Sequence, residues 1–269
     1  MKYAFLGAGN MASAIIRGMV KKNENTSKEI MVYATSTTHT KPLQESLGIG
    51  VANSRKELLQ GADVLVLAVK PHILDNLVTD LAKELEGETP LIISIAAGKT
   101  LSYLESHLGA ERPYVRIMPN INAKIGASTN GCCFGRQVSE AQKDLVLRLF
   151  ESTGTVTVLP ENMFSIFTVL AGSAPAFAYL YMDALARAAQ KAGMPKAQAL
   201  EIAASAVRGS AEMILQSGEH PWSLIDQVCS PGGTTIEGVA ALEDNRFEAT
   251  ITKAFDAVLA KDLRIQNGK

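Results

Sequence analysis

At 269 residues, with 47% hydrophobic and 20% charged residues and a formal net charge of -1, the chain has the composition of a globular protein with room for one large or two modest domains. The balanced charge and the absence of a Lys/Arg run exclude a nucleic-acid footprint, and apolar runs such as 64–69 and 91–97 are far too short to span a bilayer. Three cysteines (Cys132, Cys133, Cys229) and four scattered histidines (His39, His72, His107, His220) offer neither a disulfide framework nor a metal-ligand set, and with no signal peptide visible a reducing cytoplasm is expected.

In chain order, apolar runs rich in Val, Ile, Tyr and Leu predict strands at 3–7, 30–35, 63–69, 90–96 and 114–119. They are continuous rather than alternating, as expected of parallel strands covered on both faces. Between them, Ile15, Ile16, Met19 and Val20 form one helical stripe, and Leu77, Leu81 and Leu85 another. Strand–helix alternation of this kind predicts a doubly wound α/β domain over 1–160. From 161 to 269 strand signals stop and an all-α domain is expected. Ser173 is a candidate N-cap with Pro175 in the first turn and Gly193 as a stop, and a second helix is expected from Pro195 to Gln216, ended by Gly218. Residues 174–192 are apolar nearly all round, interrupted by Asp183, Arg187, Gln190 and Lys191, so this helix must be buried. Burial against a second subunit is the preferred reading, and the central helix of a monomeric bundle is the alternative.

The first glycine-rich turn, "FLGAGNMA", gives Gly7-x-Gly9-x-x-Ala12 directly after a strand and at the opening of a helix, the context of a Rossmann-like dinucleotide-binding domain. Gly7 permits the turn, Gly9 lets the backbone approach a pyrophosphate, and Ala12 allows close helix–strand packing, so Gly7, Ala8, Gly9, Asn10 and Met11 are cofactor-binding candidates. Sites selective for NAD usually carry an acid at the end of the second strand to bond the ribose 2′-hydroxyl. Here that tail is "ATSTTHTK" (34–41), without a carboxylate; Ser36, Thr37, Thr38 and His39 can donate to a 2′-phosphate and Lys41 adds charge. NADPH is therefore preferred over NADH, although the arginine often found at such sites is missing. The bland alternative is a polar surface turn that tolerates either cofactor. "AVKP" (Ala68, Val69, Lys70, Pro71) and the small residues Ala96 and Ala97 close two further strands at the carboxyl edge, where ligands of such folds bind.

The second glycine-rich turn is "VCSPGGTTIEG" (228–238). Gly232, Gly233 and Thr234 offer backbone donors at a helix start and two hydroxyls stand beside them, which suits a carboxylate guest.

Together with "AVKP", "SIAAG" (94–98), "RIMPN" (116–120), "GSAPAF" (172–177) and "SPGGTTIEG", the chain resembles the pyrroline-5-carboxylate reductase family, which completes proline biosynthesis, from end to end. One departure follows "RIMPN": many members continue Thr-Pro, whereas this chain has Ile121-Asn122, to which no role is transferred. The resemblance implies an oxidoreductase acting on CH–NH donors, with hydride transfer from a nicotinamide to the C=N carbon of 1-pyrroline-5-carboxylate, giving L-proline. It further implies that Thr235 serves the substrate nitrogen and that Glu161, Val228, Ser230, Gly232, Gly233, Thr234 and Thr235 bind substrate. The helical domain then dimerises, and the family's site lies between one subunit's nucleotide domain and the other's helices. Glu161, beside Pro160, equally suits a helix-start acid favoured by the dipole. Two rivals remain: another imine or β-hydroxyacid reductase of similar architecture, of which a 3-hydroxyacid dehydrogenase would be expected to carry a lysine that 174–190 lack, and a nucleotide-sensing or binding protein without catalysis, which would not need the second turn.

Overall fold

The computed structural model describes residues 1–22 and 24–266. Eight strands form one sheet among the described residues: β1 (Tyr3–Leu6), β2 (Ile30–Tyr33), β3 (Gly50–Val51), β4 (Val64–Leu67), β5 (Leu91–Ser94), β6 (Tyr114–Met118), β7 (Ser128–Phe134) and β8 (Gly154–Val158). Their order is β3-β2-β1-β4-β5-β6-β7-β8. The first six run parallel, β7 turns antiparallel to β6, and β8 runs parallel to β7. The order reverses direction between β1 and β4, the switch point at which doubly wound sheets open a crevice.

The helices of this part are α1 (Asn10–Lys22), α2 (Thr37–Leu47), α3 (Arg55–Leu59), α4 (Pro71–Glu84), α5 (Leu101–Leu108) and α6 (Glu140–Glu151). Alternate residues of the central strands feed two apolar clusters. Phe5, Val66 and Ile93 join Ile15, Ile16 and Met19 of α1 in one cluster. Leu6, Leu65, Leu67 and Ile92 join Leu74, Val78, Leu81 and Leu85 in the other. A strand buried on both faces has no reason to alternate, hence the continuous apolar runs. Leu77 belongs to the edge of the α4 stripe, and its side chain also lines the cavity described below.

Three strands escape the sequence reading, for different reasons. β3 is two residues long. β7, "STNGCCF", and β8, "GTVTV", are polar for buried and edge strands. The polar residues of β7 satisfy one another: Ser128 Oγ donates to Asn130 Oδ1 at 2.8 Å, and Asn130 Nδ2 donates to the Thr155 carbonyl at 2.9 Å and Thr153 Oγ1 at 3.2 Å. A satisfied polar network is tolerated in a core where an unpaired one is not.

The remaining helices are α7 (Phe164–Phe167), α8 (Ala174–Lys191), α9 (Lys196–Ser217), α10 (Pro221–Val228), α11 (Thr234–Asp244) and α12 (Phe247–Gln266). Ser173 is not the N-cap expected of it. A π-helical segment, Thr168–Ser173, joins α7 to α8, so Ser173 lies inside a helical stretch running from Glu161 to Lys191. That stretch of 31 residues is long and apolar enough to cross a membrane by length and composition, which short uninterrupted apolar runs conceal because scattered polar residues divide them. Gly193, at φ +103°, stops α8, and Gly218, at φ +67°, caps α9, both as expected.

Two compact units divide the chain: Met1–Ser173 with the stretch from Leu259 onward, and Ala174–Val258. Residues 267–269, the end of the expected second domain, lie outside the described residues. Within the second unit α8 packs on α9. The buried residues there are small (Ala186, Ala199 and Ala203), and Asp183 ties the pair by bonding Arg187 at 2.5 Å and Lys196 at 2.8 Å. Most of the large apolar residues of α8 are not covered: Tyr179, Leu180, Tyr181 and Leu185 are all exposed in the single chain.

Candidate active site

The carboxyl ends of β1, β2, β4 and β5 open into a cavity of about 740 Å³. Gly7 sits at its floor with φ +110°, a conformation that costs other residues dearly, and its N–H donates to the Tyr33 carbonyl at 2.8 Å. A Cβ at Gly7 would approach the Ala68 carbonyl oxygen to 2.6 Å, so β1 and β4 can lie this close only around glycine. Gly9 differs: nothing lies within 4 Å of where its Cβ would be. That open space is on the ligand side of the turn, where α1 begins with free N–H groups. Ala12, buried, packs into the core behind it.

The cavity is lined by Gly7, Ala8, Gly9, Asn10 and Met11 from the first turn, Ser36 after β2, Ala68, Val69, Lys70 and Pro71 after β4, and Ala96 and Ala97 after β5. Twelve of the thirteen residues expected to bind a cofactor thus share one cavity. The thirteenth, Thr37, is the first residue of α2, which Ser36 caps by accepting from the Thr38 N–H at 3.2 Å. Lys70 takes the N-cap position of α4 without a side-chain cap bond, with Pro71 at the first helical position.

The lining residues that the sequence reading did not assign to this site include Arg55, Ile121 and Lys124. Arg55 opens α3, after a strand too short to read as one; the β2 tail itself carries no arginine, but this one lines the same cavity. Its Nε and Nη2 hold the Glu84 carboxylate at 2.7–3.1 Å. Ile121 and Lys124 belong to the 3₁₀ segment Ile121–Ile125 that replaces the Thr-Pro departure point. Among the described lining residues Arg55, Lys70 and Lys124 are cationic and none is a carboxylate. A cavity with this charge favours a polyanionic guest. The glycine cradle, the size and the charge all fit a dinucleotide carrying an additional phosphate.

Glu161 lies in the first unit. Its Oε1 accepts from Arg116 Nη1 at 3.0 Å and from the Leu101 N–H at 2.7 Å, and the Arg116 guanidinium stacks on Phe164 at 4.5 Å. Arg116 is almost fully buried, so Glu161 neutralises a charge that would otherwise stand alone in the core. Cys132 is buried, which pushes its thiol up to about 12 and makes it inert.

The second glycine turn closes α10 and opens α11. Gly232 adopts φ +67°, and a Cβ on Gly233 would collide with Ser230 Oγ. The Gly233 N–H donates to the Ser230 carbonyl at 2.9 Å and so shapes the turn. Thr234 and Thr235 are the first two residues of α11, where helix geometry leaves N–H groups without intrahelical partners. Val228, Ser230, Thr234 and Thr235 are exposed in the single chain.

Comparisons with known proteins agree with this geometry. A model described as pyrroline-5-carboxylate reductase dimerisation matches residues 161–265, and one described as NADP oxidoreductase, coenzyme F420-dependent, matches residues 2–98. The pyrroline-5-carboxylate reductase of Escherichia coli (strain K12) is 38% identical over 98% of both chains. Two solved structures are also similar. The Streptococcus pyogenes 1-pyrroline-5-carboxylate reductase is 37% identical over 97% of this chain and 98% of its own, with a TM-score of 0.87. The Plasmodium falciparum pyrroline carboxylate reductase with NADP bound is 29% identical over 97% of both chains, with a TM-score of 0.87. An acid-free glycine cavity, a second turn "SPGGTT" at a helix start and end-to-end similarity converge on one conclusion: the chain belongs to the pyrroline-5-carboxylate reductase family.

Proposed function

We propose that the protein is a pyrroline-5-carboxylate reductase that reduces the C=N bond of 1-pyrroline-5-carboxylate to give L-proline, with NADPH preferred and NADH accepted. The Ser230–Thr235 turn carries this reading, because it presents backbone donors and a hydroxyl together at a helix start. A bound reduced nicotinamide supplies the hydride. The protein's own part is to hold charge and orient the ring. In the proposal, the N–H groups of Gly232 and Thr234 and the positive end of α11 hold the substrate carboxylate, while Ser230 and Gly233 fix the turn and Val228 borders it. Thr235 Oγ1 bonds the ring nitrogen. An imine protonated in solution arrives already electrophilic, so a hydroxyl suffices where a stronger acid would otherwise be needed. Glu161, bonded through Oε1 to Arg116 and Leu101, has Oε2 left for the substrate contact expected of it.

We also assign the functional boundary to residue 160, and a cytoplasmic setting in which the partners are the substrate and a second copy of the chain rather than nucleic acid or membrane. The three cysteines, all free, and the near-neutral charge support this. NADPH oxidation in the presence of pyrroline-5-carboxylate tests the activity; no turnover by protein that binds NADPH overturns it. Thr235→Val, which keeps volume and removes the hydroxyl, is expected to lower kcat/KM by about 10- to 100-fold. A value within twofold of wild type would remove Thr235 from its role.

A further inference from the structure

β2 and β3 are parallel neighbours, paired Met31 to Gly50 and Val32 to Val51, with the Ala52 N–H donating to the Val32 carbonyl at 2.9 Å. Their chains therefore leave the sheet side by side at its carboxyl edge. One continues to Ser36 and the other to Arg55, and both residues line the same cavity. The end of β2 is the place where folds of this kind read the ribose 2′ substituent, and here it offers only hydroxyls and a histidine. Arg55 is the cation that the β2 tail itself lacks. Its guanidinium is mostly buried, with a side-chain exposure of 27%. Glu84 holds one edge of it through Nε and Nη2, and Asp80 stands 3.7 Å from Nη2. Nη1 has no partner among the described residues. A guanidinium clamped along one edge has already lost its rotamer freedom, so a bond from its other edge to a phosphate costs little further ordering.

We propose that Arg55 is the specificity-determining residue for the cofactor's 2′-phosphate, held in place by Glu84. This deepens the NADPH reading above and rests on it. Without Arg55, Ser36 and its neighbouring hydroxyls suffice for a ribose 2′-hydroxyl and leave the charge of a 2′-phosphate unmatched. Calorimetric titration of the full chain with 2′,5′-ADP and with 5′-AMP isolates the effect, because the two differ only in that phosphate. Arg55→Gln, which keeps the stem and can still bond Glu84, is expected to weaken 2′,5′-ADP by about 10- to 100-fold and 5′-AMP by less than twofold. Equal weakening of both would make Arg55 a support for the adenosine as a whole and overturn the proposal, as would no change in either.

A second measurement needs no variant. On the wild-type protein, 2′,5′-ADP is expected to protect Arg55 from phenylglyoxal, read by peptide mass spectrometry, and 5′-AMP to leave it reactive. Equal protection by the two overturns the proposal. Both readouts are independent of turnover, so a failure of the reductase reading leaves them decisive.

Discussion

Single residues in this protein act through what they exclude as much as through what they touch. Gly7 is the sharpest case, since its positive φ and the 2.6 Å approach of the Ala68 carbonyl oxygen leave no room for a methyl group. Gly7→Ala is therefore expected to destabilise the fold by about 1–3 kcal/mol, because two central strands must move apart or the turn must change its conformation. It should also abolish detectable NADPH binding, since the turn that shapes the phosphate cradle is the part that gives way. Thermal unfolding and fluorescence titration would check the two effects separately. Tight NADPH binding by a folded Gly7→Ala protein would show that the cradle tolerates the shift. Gly9 differs, because the space where its Cβ would stand is open in the protein.

At the scale of elements, the π-helical segment Thr168–Ser173 is the departure from regular geometry that needs a compensating partner. Asn120 supplies it. Its Nδ2 donates to the Ala171 carbonyl at 3.0 Å, its Oδ1 accepts from the Asn122 N–H at 3.1 Å, and its own N–H donates to Ser128 Oγ at 3.1 Å. One buried residue thereby ties the π segment, the 3₁₀ segment beside the cavity and β7 together. Asn120→Ala is expected to cost about 2 kcal/mol in a urea titration, because it takes the side-chain donor from the buried Ala171 carbonyl and unties the segments it joins. A loss below about 0.5 kcal/mol would mean that the segment relaxes to regular α-helix without it. The "RIMPN" motif thus has a structural function alongside any catalytic one.

For the whole molecule, the decisive feature is apolar surface. In the single chain Leu180 is 71% and Leu215 is 79% exposed, in company with Tyr179, Tyr181, Leu185 and Ile214. A lone bundle leaving this much apolar side chain in water would be poorly stable and prone to associate. The matched dimerisation model over 161–265 supports self-association, which would cover this surface. Leu180→Glu is expected to weaken assembly by about 100-fold or more, because a charge desolvated at an interface has no partner there. Sedimentation should then shift toward the monomer, and thermal stability should become lower and dependent on concentration. An unchanged assembly mass would place Leu180 outside the interface.

The residue order by itself determined the alternation of buried strands and helices, the first glycine turn and the start of α11 at Thr234. Each of these is a local matter of period, propensity and backbone freedom, so a short window of sequence carries it. It also determined the family, through motifs that only a nicotinamide site and a carboxylate turn jointly require. Tertiary structure alone decided the rest. β7 reads as polar because its partners Thr153 and Thr155 lie more than twenty residues away and cannot be inferred from its own composition. Ser173 has the composition of a cap, but packing carries the helix through it. Arg55 joins the cavity only because β3 pairs beside β2, and a two-residue strand leaves almost no trace in sequence. Periodicity marked α8 as a helix that must be buried, and only the tertiary structure shows that the single chain leaves much of its apolar face exposed.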